Sequence, residues 1–234
     1  MDPRTIQFYE GNAPEIARRY TQAPSAAARY FAVAFTPGSR ILDVGCGSGR
    51  DLHALIDAGY DATGIDASDD MLREARNHYP ALAPRMSVDT LPNLSSVQDA
   101  AYDGLVCWAV LMHLPEEFLF DAVFNLRRIL KPGGRLLIST PLEGPAVEPE
   151  THRDTSGRLF NGVTPENFHF LLEKIGFRRL NRWDEADSLG RKERRWATQL
   201  FALEGQGSRS PDKIEAILNR DAVPIVHPVV RHEQ

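Results

Sequence analysis

The sequence predicts an α/β fold built on a doubly wound, mostly parallel sheet. Three observations lead to this prediction. Short apolar runs alternate with segments of helical periodicity, a glycine-rich turn follows the first run, and carboxylates follow the next two. Such alternation is typical of strands joined by helices that cover both faces of one sheet. At 234 residues the chain is long enough for one large domain with modest additions.

The elements follow one another in a regular order. Residues 1–36 are predicted to be helical and amphipathic, with Tyr30 and Phe35 on the apolar face and Pro37-Gly38 as the stop signal. Ser68 is a predicted N-cap, with carboxylates in the first turn after it. The predicted strands are 40–44, 61–66, 85–89, 104–108 and 135–140, and the helices between and after them centre on 52–56, 68–79, 119–130 and 164–176.

Two further strands are predicted near the C-terminal end. Residues 177–183 and 196–203 have no long helix between them, so we expect them to pair as an antiparallel hairpin. The predicted organisation is therefore an N-terminal helical lid over 1–36, one domain over 37–204 and a tail over 205–234. The prolines of the tail argue against a central strand. We expect the tail to pack on the domain or to be partly disordered. The alternative is that it acts as a dimerisation arm.

Composition excludes several classes of protein. The net charge is −5, which disfavours nucleic acid as the main partner. Two cysteines are too few for a disulfide scaffold, and no apolar run is long enough to span a membrane. The first residues lack the apolar core of a signal peptide. We therefore expect a cytoplasmic protein without a membrane partner, and no metal site is predicted.

The segment most informative about chemistry follows the first strand. It contains Gly45-Cys46-Gly47-Ser48-Gly49, and glycines there let the backbone approach a ligand closely. Asp66 ends the second strand, at the distance where an acidic side chain meets ribose hydroxyls, and Asp89 ends the third. Cys107 and Trp108 end the fourth strand. Four strand ends thus direct polar or aromatic groups at one predicted cleft.

The glycine spacing distinguishes between nucleotide ligands. The dinucleotide fingerprint is Gly-x-Gly-x-x-Gly, whereas here Gly45, Gly47 and Gly49 alternate and Arg50 occupies the sixth position. The third glycine, which packs helix against strand beneath a pyrophosphate, is therefore misplaced. The spacing favours a nucleoside ligand without phosphates.

These motifs resemble those of class I S-adenosylmethionine-dependent methyltransferases. The matching stretches are Leu42–Gly49, Gly64–Ser68, Tyr102–Cys107 and Leu130–Leu136, and the resemblance covers roughly residues 36–203. It is strongest to the small-molecule branch that includes ubiquinone and menaquinone biosynthesis enzymes. The resemblance implies a Rossmann-like sheet of seven strands with the last one antiparallel, and transfer of a methyl group from S-adenosylmethionine to a small-molecule acceptor by in-line displacement.

The resemblance also implies which residues hold the cofactor. Gly45 and Gly47 would line its methionine part, and Asp43 would support the loop and approach the amino group. Asp66 would bind both ribose hydroxyls, and the Cys107 carbonyl would face the amino group. The adenine would contact Asp89 and Thr90, and Trp108 would either stack beside the sulfonium by a cation–π contact or pack in the core.

A general base is needed only when the acceptor keeps its proton near neutral pH. His113 follows the fourth strand and is the best candidate, although a histidine that packs at the start of a helix is an equally good interpretation. The segment 142–163 is predicted to be an irregular loop that borders the cleft together with the N-terminal lid. Loops in such positions often determine which substrate binds.

Three alternatives remain open. The arginines between 178 and 195, with Trp183 and Trp196 nearby, would suit an RNA substrate such as tRNA, although acidic residues interrupt them. A nicotinamide oxidoreductase is disfavoured by the glycine spacing. A protein that binds the cofactor without catalysis has the same motifs and is separated only by an activity assay.

Overall fold

The computed structural model describes residues 1–205, and within that range the chain forms one seven-stranded sheet covered by helices on both faces. The predicted tail, apart from Gly205, lies outside the described residues, and so does its suggested role as a dimerisation arm. The strands are β1 (Arg40–Val44), β2 (Asp61–Asp66), β3 (Met86–Val88), β4 (Tyr102–Trp108), β5 (Leu130–Glu143), β6 (Phe177–Ala186) and β7 (Arg195–Leu203).

Seven α-helices are present within residues 1–205, and local signals explain several of their ends. Asp2, Ser68 and Thr164 each accept a hydrogen bond from a backbone N–H in the first turn of the helix that follows, as expected of N-caps. The helices are α1 (Pro3–Gly11), α2 (Ala13–Thr21), α3 (Ala28–Ala34), α4 (Arg50–Asp57), α5 (Asp69–His78), α6 (Leu119–Ile129) and α7 (Pro165–Lys174).

The strand order is β3-β2-β1-β4-β5-β7-β6. β1 to β5 run parallel to one another, while β7 is antiparallel to both β5 and β6. The predicted fold class is therefore confirmed, including the antiparallel hairpin. Chain order reverses between β1 and β4, and the crevice outside the carboxyl ends of strands at such a reversal is where open α/β sheets bind ligands.

Two hydrophobic clusters lie on opposite faces of the sheet. One packs α6 and α7 against the sheet through residues such as Leu126 and Phe168, and the other packs α3, α4 and α5 through residues such as Phe31 and Leu52. All four side chains are buried. Because both faces are covered, the central strands are apolar on both sides, as a parallel sheet requires.

The fifth strand is longer than the sequence predicts. The prediction placed it at 135–140, after a helix that runs to Lys131-Pro132-Gly133-Gly134, whereas β5 spans Leu130–Glu143. Leu130 already pairs with Tyr102, and the register shifts before Gly104 pairs with Arg135. A Cβ at Gly134 would lie 2.8 Å from the Lys131 carbonyl oxygen, so glycine lets this irregular stretch stay against the sheet. Proline and glycine here mark a bulge rather than a strand boundary.

No helix within residues 1–205 is long and apolar enough to cross a membrane.

Candidate functional site

A large cleft opens at the carboxyl ends of the parallel strands, at the reversal between β1 and β4. It contains about 1470 Å³ of atom-free space, including the part open to solvent. We call the part beside β1–β3 the glycine-loop end, and the part beside Tyr9, His113 and Phe160 the aromatic end.

The glycine-rich turn after β1 is folded onto β2. The N–H groups of Gly45 and Cys46 both donate to the Ile65 carbonyl, at 2.8 and 2.9 Å. Gly45 has φ +77°, and a Cβ there would lie 2.4 Å from Cγ2 of Val110. Gly47 has φ +50° and donates its N–H to Oδ2 of Asp66 at 2.8 Å. The turn therefore needs glycine for its backbone angles, and it presents backbone rather than side chains to the cleft.

The Asp66 carboxylate lies at the floor of the glycine-loop end. Its Oδ2 accepts from Gly47 N and its Oδ1 accepts from Ser68 N at 2.9 Å. Each carboxylate oxygen has a second lone-pair position, so both can still accept from a ligand. Burial raises the pKa of Asp66, although the backbone donors oppose this shift. The side chain is only half-buried and lines the cleft, which leaves an acceptor pair open to a diol.

Asp43 lies beneath the glycine-rich turn and is not among the residues that line the cleft. It is buried, and its Oδ2 has no hydrogen-bond partner among residues 1–205. Burial, followed by the nearby carboxylates of Asp51 and Asp66, raises its pKa well above the usual value. Its position is suited to supporting the turn rather than to touching a ligand in the cleft.

Asp89 and Thr90 both line the cleft. Oδ1 of Asp89 accepts from Thr90 N at 2.7 Å, and Oδ2 accepts from the N–H and the hydroxyl of Ser96. The carboxylate thus already closes the 89–96 turn. Any contact of Asp89 with a ligand would use its remaining lone pairs.

The two predicted residues at the end of β4 have different surroundings. Cys107 is fully buried and does not line the cleft, and burial raises the pKa of its thiol. Trp108 does line it, with its ring centroid 6.1 Å from that of Tyr30. Ala109 follows with φ +58° and also lines the cleft. A positive φ at alanine leaves no signal in a single sequence, and the prediction missed this residue.

His113 is buried at the aromatic end. Its Nδ1 lies 2.6 Å from the Leu159 carbonyl oxygen, and its Nε2 lies 3.4 Å from the Tyr9 hydroxyl. A carbonyl can only accept, so Nδ1 carries the proton and Nε2 keeps its lone pair. Burial lowers the pKa of His113 to about 4. The imidazole is therefore neutral near pH 7, with an unprotonated nitrogen beside the cleft.

The rest of the aromatic end comes from three separate parts of the chain. From the N-terminal lid, Tyr9 and Tyr20 line the cleft, whereas Arg18 does not. From the 142–163 loop, Arg158 lines it, whereas His152 and Arg153 do not. The β6–β7 hairpin also contributes, which the sequence treated only as a solvated or nucleic-acid-binding element. Its lining residues are Glu185, Ala186, Asp187, Ser188, Leu189, Arg191, Arg194 and Trp196.

Comparison with known proteins gives three findings. Residues 41–134 match the family model described as a methyltransferase domain. The chain is 33% identical over 115 residues to the ubiquinone biosynthesis O-methyltransferase of Xanthomonas campestris pv. campestris (strain B100), a match that covers 47% of this chain and 46% of that protein. The protein of the same name from Xylella fastidiosa (strain 9a5c) is 38% identical over 108 residues, covering 44% of this chain and 42% of that one. The chain thus matches less than half the length of these curated relatives.

A solved structure shares the fold over most of the chain. It is the Burkholderia thailandensis 1,6-didemethyltoxoflavin-N1-methyltransferase with bound 1,6-didemethyltoxoflavin and S-adenosylhomocysteine. The TM-score is 0.68 at 18% sequence identity, covering 86% of this chain and 88% of that one. At that identity the likeness shows the fold alone.

Proposed function

Because this chain carries a class I S-adenosylmethionine-dependent methyltransferase domain, we propose that the protein transfers a methyl group from S-adenosylmethionine to a small organic acceptor. The observation that carries the proposal is the glycine-loop end of the cleft. There, a turn with positive-φ glycines and the open Asp66 carboxylate lie together at the sheet's reversal point. A ribose diol and an amino-acid moiety are suited to these two features.

The described residues fit this cofactor. A Cβ on Gly47 would lie 3.7 Å from Cε of Met71 and 4.0 Å from both Oδ2 of Asp66 and the Gly45 carbonyl oxygen, so nothing crowds the backbone there. We assign the ribose hydroxyls to Asp66, the methionine part to Gly45 and Gly47, and the adenine to the Asp89–Thr90 segment. We assign Asp43 and Cys107 a supporting role beneath this surface, because neither lines the cleft.

When bound, S-adenosylmethionine supplies a methyl group that its sulfonium already makes electrophilic. The protein then needs to hold the acceptor in line and to exclude water, and such positioning alone lowers the barrier by several kcal/mol. The N-terminal helices and the 144–164 loop close over the cleft and suit that purpose. For an acceptor that keeps its proton, we assign Nε2 of His113 as the atom that takes it. We assign Trp108, which lines the cleft, as the aromatic ring that faces the sulfonium.

The aromatic end of the cleft supports the proposal that the methyl acceptor is a small molecule. Its surface is formed by Tyr9, Met112, His113 and Phe160, which suits a ring-containing molecule. The O-methyltransferases named above point in the same direction by their names. A cytoplasmic location and a homodimer formed through the termini stay predictions.

The test separates this proposal from a nicotinamide oxidoreductase and from a non-catalytic binding protein. S-adenosylhomocysteine should raise the melting temperature of the purified full chain, because a ligand that binds only the native state stabilises it, while NAD should not. Labelled methyl transfer is then measured on a panel of phenols, carboxylic acids, amines and thiols. A rise in melting temperature with NAD but not with S-adenosylhomocysteine would contradict the proposal. Binding of S-adenosylhomocysteine without methyl transfer to any acceptor would favour the non-catalytic alternative.

A further inference from the structure

The β6–β7 hairpin contains six arginines, and most of them are neutralised within the fold. Three pair with carboxylates outside the strand that carries them: Arg178 with Glu204, Arg182 with Glu166, and Arg195 with Glu143. Arg182 also pairs with Asp184 of its own strand. Arg179 donates to the Gln199 side chain at 3.1 Å. Arg191 pairs with Asp187 inside the hairpin. Among residues 1–205, Arg194 is the one hairpin arginine that has neither an ion pair nor a side-chain hydrogen bond.

Arg194 lies at the aromatic end of the cleft. Its Nε is buried without a hydrogen-bond partner among the residues that the structure describes. Its guanidinium carbon lies 5.9 Å from the centroid of the Phe160 ring, in cation–π range. A buried donor without an acceptor costs about 1–3 kcal/mol, so the site is incomplete unless something that accepts hydrogen bonds enters the cleft.

The charges around Arg194 leave one positive charge uncompensated. Arg158 is buried at the same Phe160 ring and pairs with Asp154, and Arg29 pairs with Glu185. Each of these two ion pairs, like the Arg191–Asp187 pair, has no net charge. Burial first, and then repulsion from Arg191 and Arg158, lowers the pKa of Arg194. Arg194 thus leaves this corner of the cleft with one unpaired positive charge, which favours an anion.

We propose that the methyl acceptor carries a single carboxylate and that the Arg194 guanidinium binds it above the Phe160 ring. This inference rests on the proposed function, because it describes the second molecule in the same cleft. One uncompensated positive charge matches a monoanion better than a phosphate ester, which carries nearly two negative charges at neutral pH. A planar guanidinium also pairs with a carboxylate through two parallel hydrogen bonds.

The position of His113 limits the size of this acceptor. The His113 ring centroid lies 4.9 Å from that of Phe160, whose ring Arg194 also faces. The proposed base and the proposed carboxylate site thus both lie against the same aromatic ring. The acceptor that fits is a small ring compound, with its carboxylate toward Arg194 and its methyl-accepting atom toward Nε2 of His113.

The test uses matched pairs of probes. Salicylate, protocatechuate and phenylacetate are titrated by calorimetry, each beside its neutral amide, with S-adenosylhomocysteine present and absent. On the wild type we expect at least one carboxylate to bind about tenfold or more tightly than its amide, as a charge-assisted pair should. Arg194→Gln should remove this preference. Arg194→Lys keeps the positive charge but cannot form two parallel hydrogen bonds to a carboxylate, so it should retain part of the preference.

Arg195→Gln is the control, because Arg195 is the neighbouring arginine, half-exposed and already paired with Glu143. It should keep the wild-type preference. The inference is overturned if no carboxylate binds the wild type, if the amides bind equally well, or if Arg194→Gln and Arg195→Gln behave alike. S-adenosylhomocysteine affinity is measured on every variant. If the wild type does not bind S-adenosylhomocysteine, the proposed function is contradicted. If it binds S-adenosylhomocysteine normally but shows no preference for carboxylates, only the role of Arg194 is contradicted.

Discussion

Asp66 and Asp89 follow neighbouring strands and both line the cleft, yet their carboxylates are used differently. Each oxygen of Asp66 accepts one backbone N–H and remains open on the cleft side. Asp89 instead holds a turn of its own loop through Thr90 and Ser96, and the side chain is buried. The first arrangement suits a ligand, and the second suits the stability of the loop.

We expect Asp66→Asn to weaken binding of S-adenosylhomocysteine more than Asp89→Asn. A carboxylate that accepts from ribose hydroxyls contributes about 1.5–3 kcal/mol per bond, which is about a tenfold to hundredfold loss of affinity when the charge is removed. Asp89→Asn should mainly lower the free energy of unfolding. Calorimetric titration and urea unfolding of both variants measure the two effects.

The control for this pair is Asp61→Asn. Asp61 begins the same strand as Asp66 but is exposed, and it pairs with Arg85 at the end of the strand away from the cleft. It should change neither affinity nor stability by much. Equal losses of affinity in the Asp66 and Asp89 variants would show that the assignment of the ribose to Asp66 is wrong.

His113 should make the stability of the protein depend on pH. Its pKa is about 4 in the folded chain against 6.5 ordinarily, because burial disfavours the charged ring. Between these values the unfolded chain binds the proton and the folded chain does not. The stabilisation is therefore complete above about pH 6.5 and is lost as pH falls toward 4, with about 2 kcal/mol lost by pH 5.

This is measured as the free energy of unfolding in urea at pH 7 and pH 5, for the wild type and for His113→Asn. The variant should lose about 2 kcal/mol less than the wild type over that interval. His78→Asn, at an exposed histidine, serves as the control and should follow the wild type. Parallel pH dependences for all three proteins would mean that His113 titrates normally.

At the scale of elements, α1 is joined to the 144–164 loop above the cleft. Asp2 caps α1 and also forms a bidentate pair with Arg153, with both hydrogen bonds at 2.8 Å. The Thr5 hydroxyl accepts from Leu159 N at 2.9 Å. Arg153 holds the pKa of Asp2 at about 2, so the pair stays intact in all but strongly acidic solution. The helix and the loop are thus expected to cover the cleft as one unit.

We expect Asp2→Asn to loosen this cover. It leaves the largely buried Arg153 guanidinium without its counter-charge, which costs about 3 kcal/mol, at the lower end for buried pairs. Hydrogen exchange should rise in α1 and in residues 152–160 before it rises in the sheet. Asp99→Asn is the control, since Asp99 is exposed and pairs with Arg128 at the surface. Identical exchange in the two variants would contradict the joined cover.

On the scale of the whole molecule, the net charge is −5 and the basic hairpin is largely neutralised by carboxylates of the fold. Nucleic-acid binding needs several lysines or arginines free to replace the counterions of phosphates. Most of the arginines that were candidates for binding RNA are instead paired with carboxylates of the protein. The structure thus supports the small acceptor over the RNA alternative.

We expect tRNA and duplex DNA to bind this protein no more tightly than about 10⁻⁴–10⁻⁶ M at physiological salt, the non-specific range. Fluorescence anisotropy between low and high salt measures this. The informative variant is Arg178→Gln with Arg182→Gln. Both side chains are already paired with carboxylates, so their removal should leave nucleic-acid binding unchanged. Tight binding that falls steeply with salt and is lost in this variant would reinstate the RNA alternative.

The order of strands and helices, the glycine-rich turn and the location of Asp66 could be predicted because each depends on residues close together in sequence. Asp66 follows its strand directly, and Ser68 caps the next helix with its own side chain. The extent of β5 could not be predicted, because Leu130 joins the strand only by pairing with Tyr102, which lies far away along the chain.

What only the tertiary structure decided is the aromatic end of the cleft. Tyr9, His113, Phe160 and Arg194 belong to four distant segments, and no local pattern brings them together. Whether an arginine is neutralised or left open depends on which carboxylates the fold places beside it, and the pKa of His113 depends on how completely packing removes water. Sequence therefore determined the fold and the proposed cofactor end, whereas long-range packing determined the surface that would receive the acceptor.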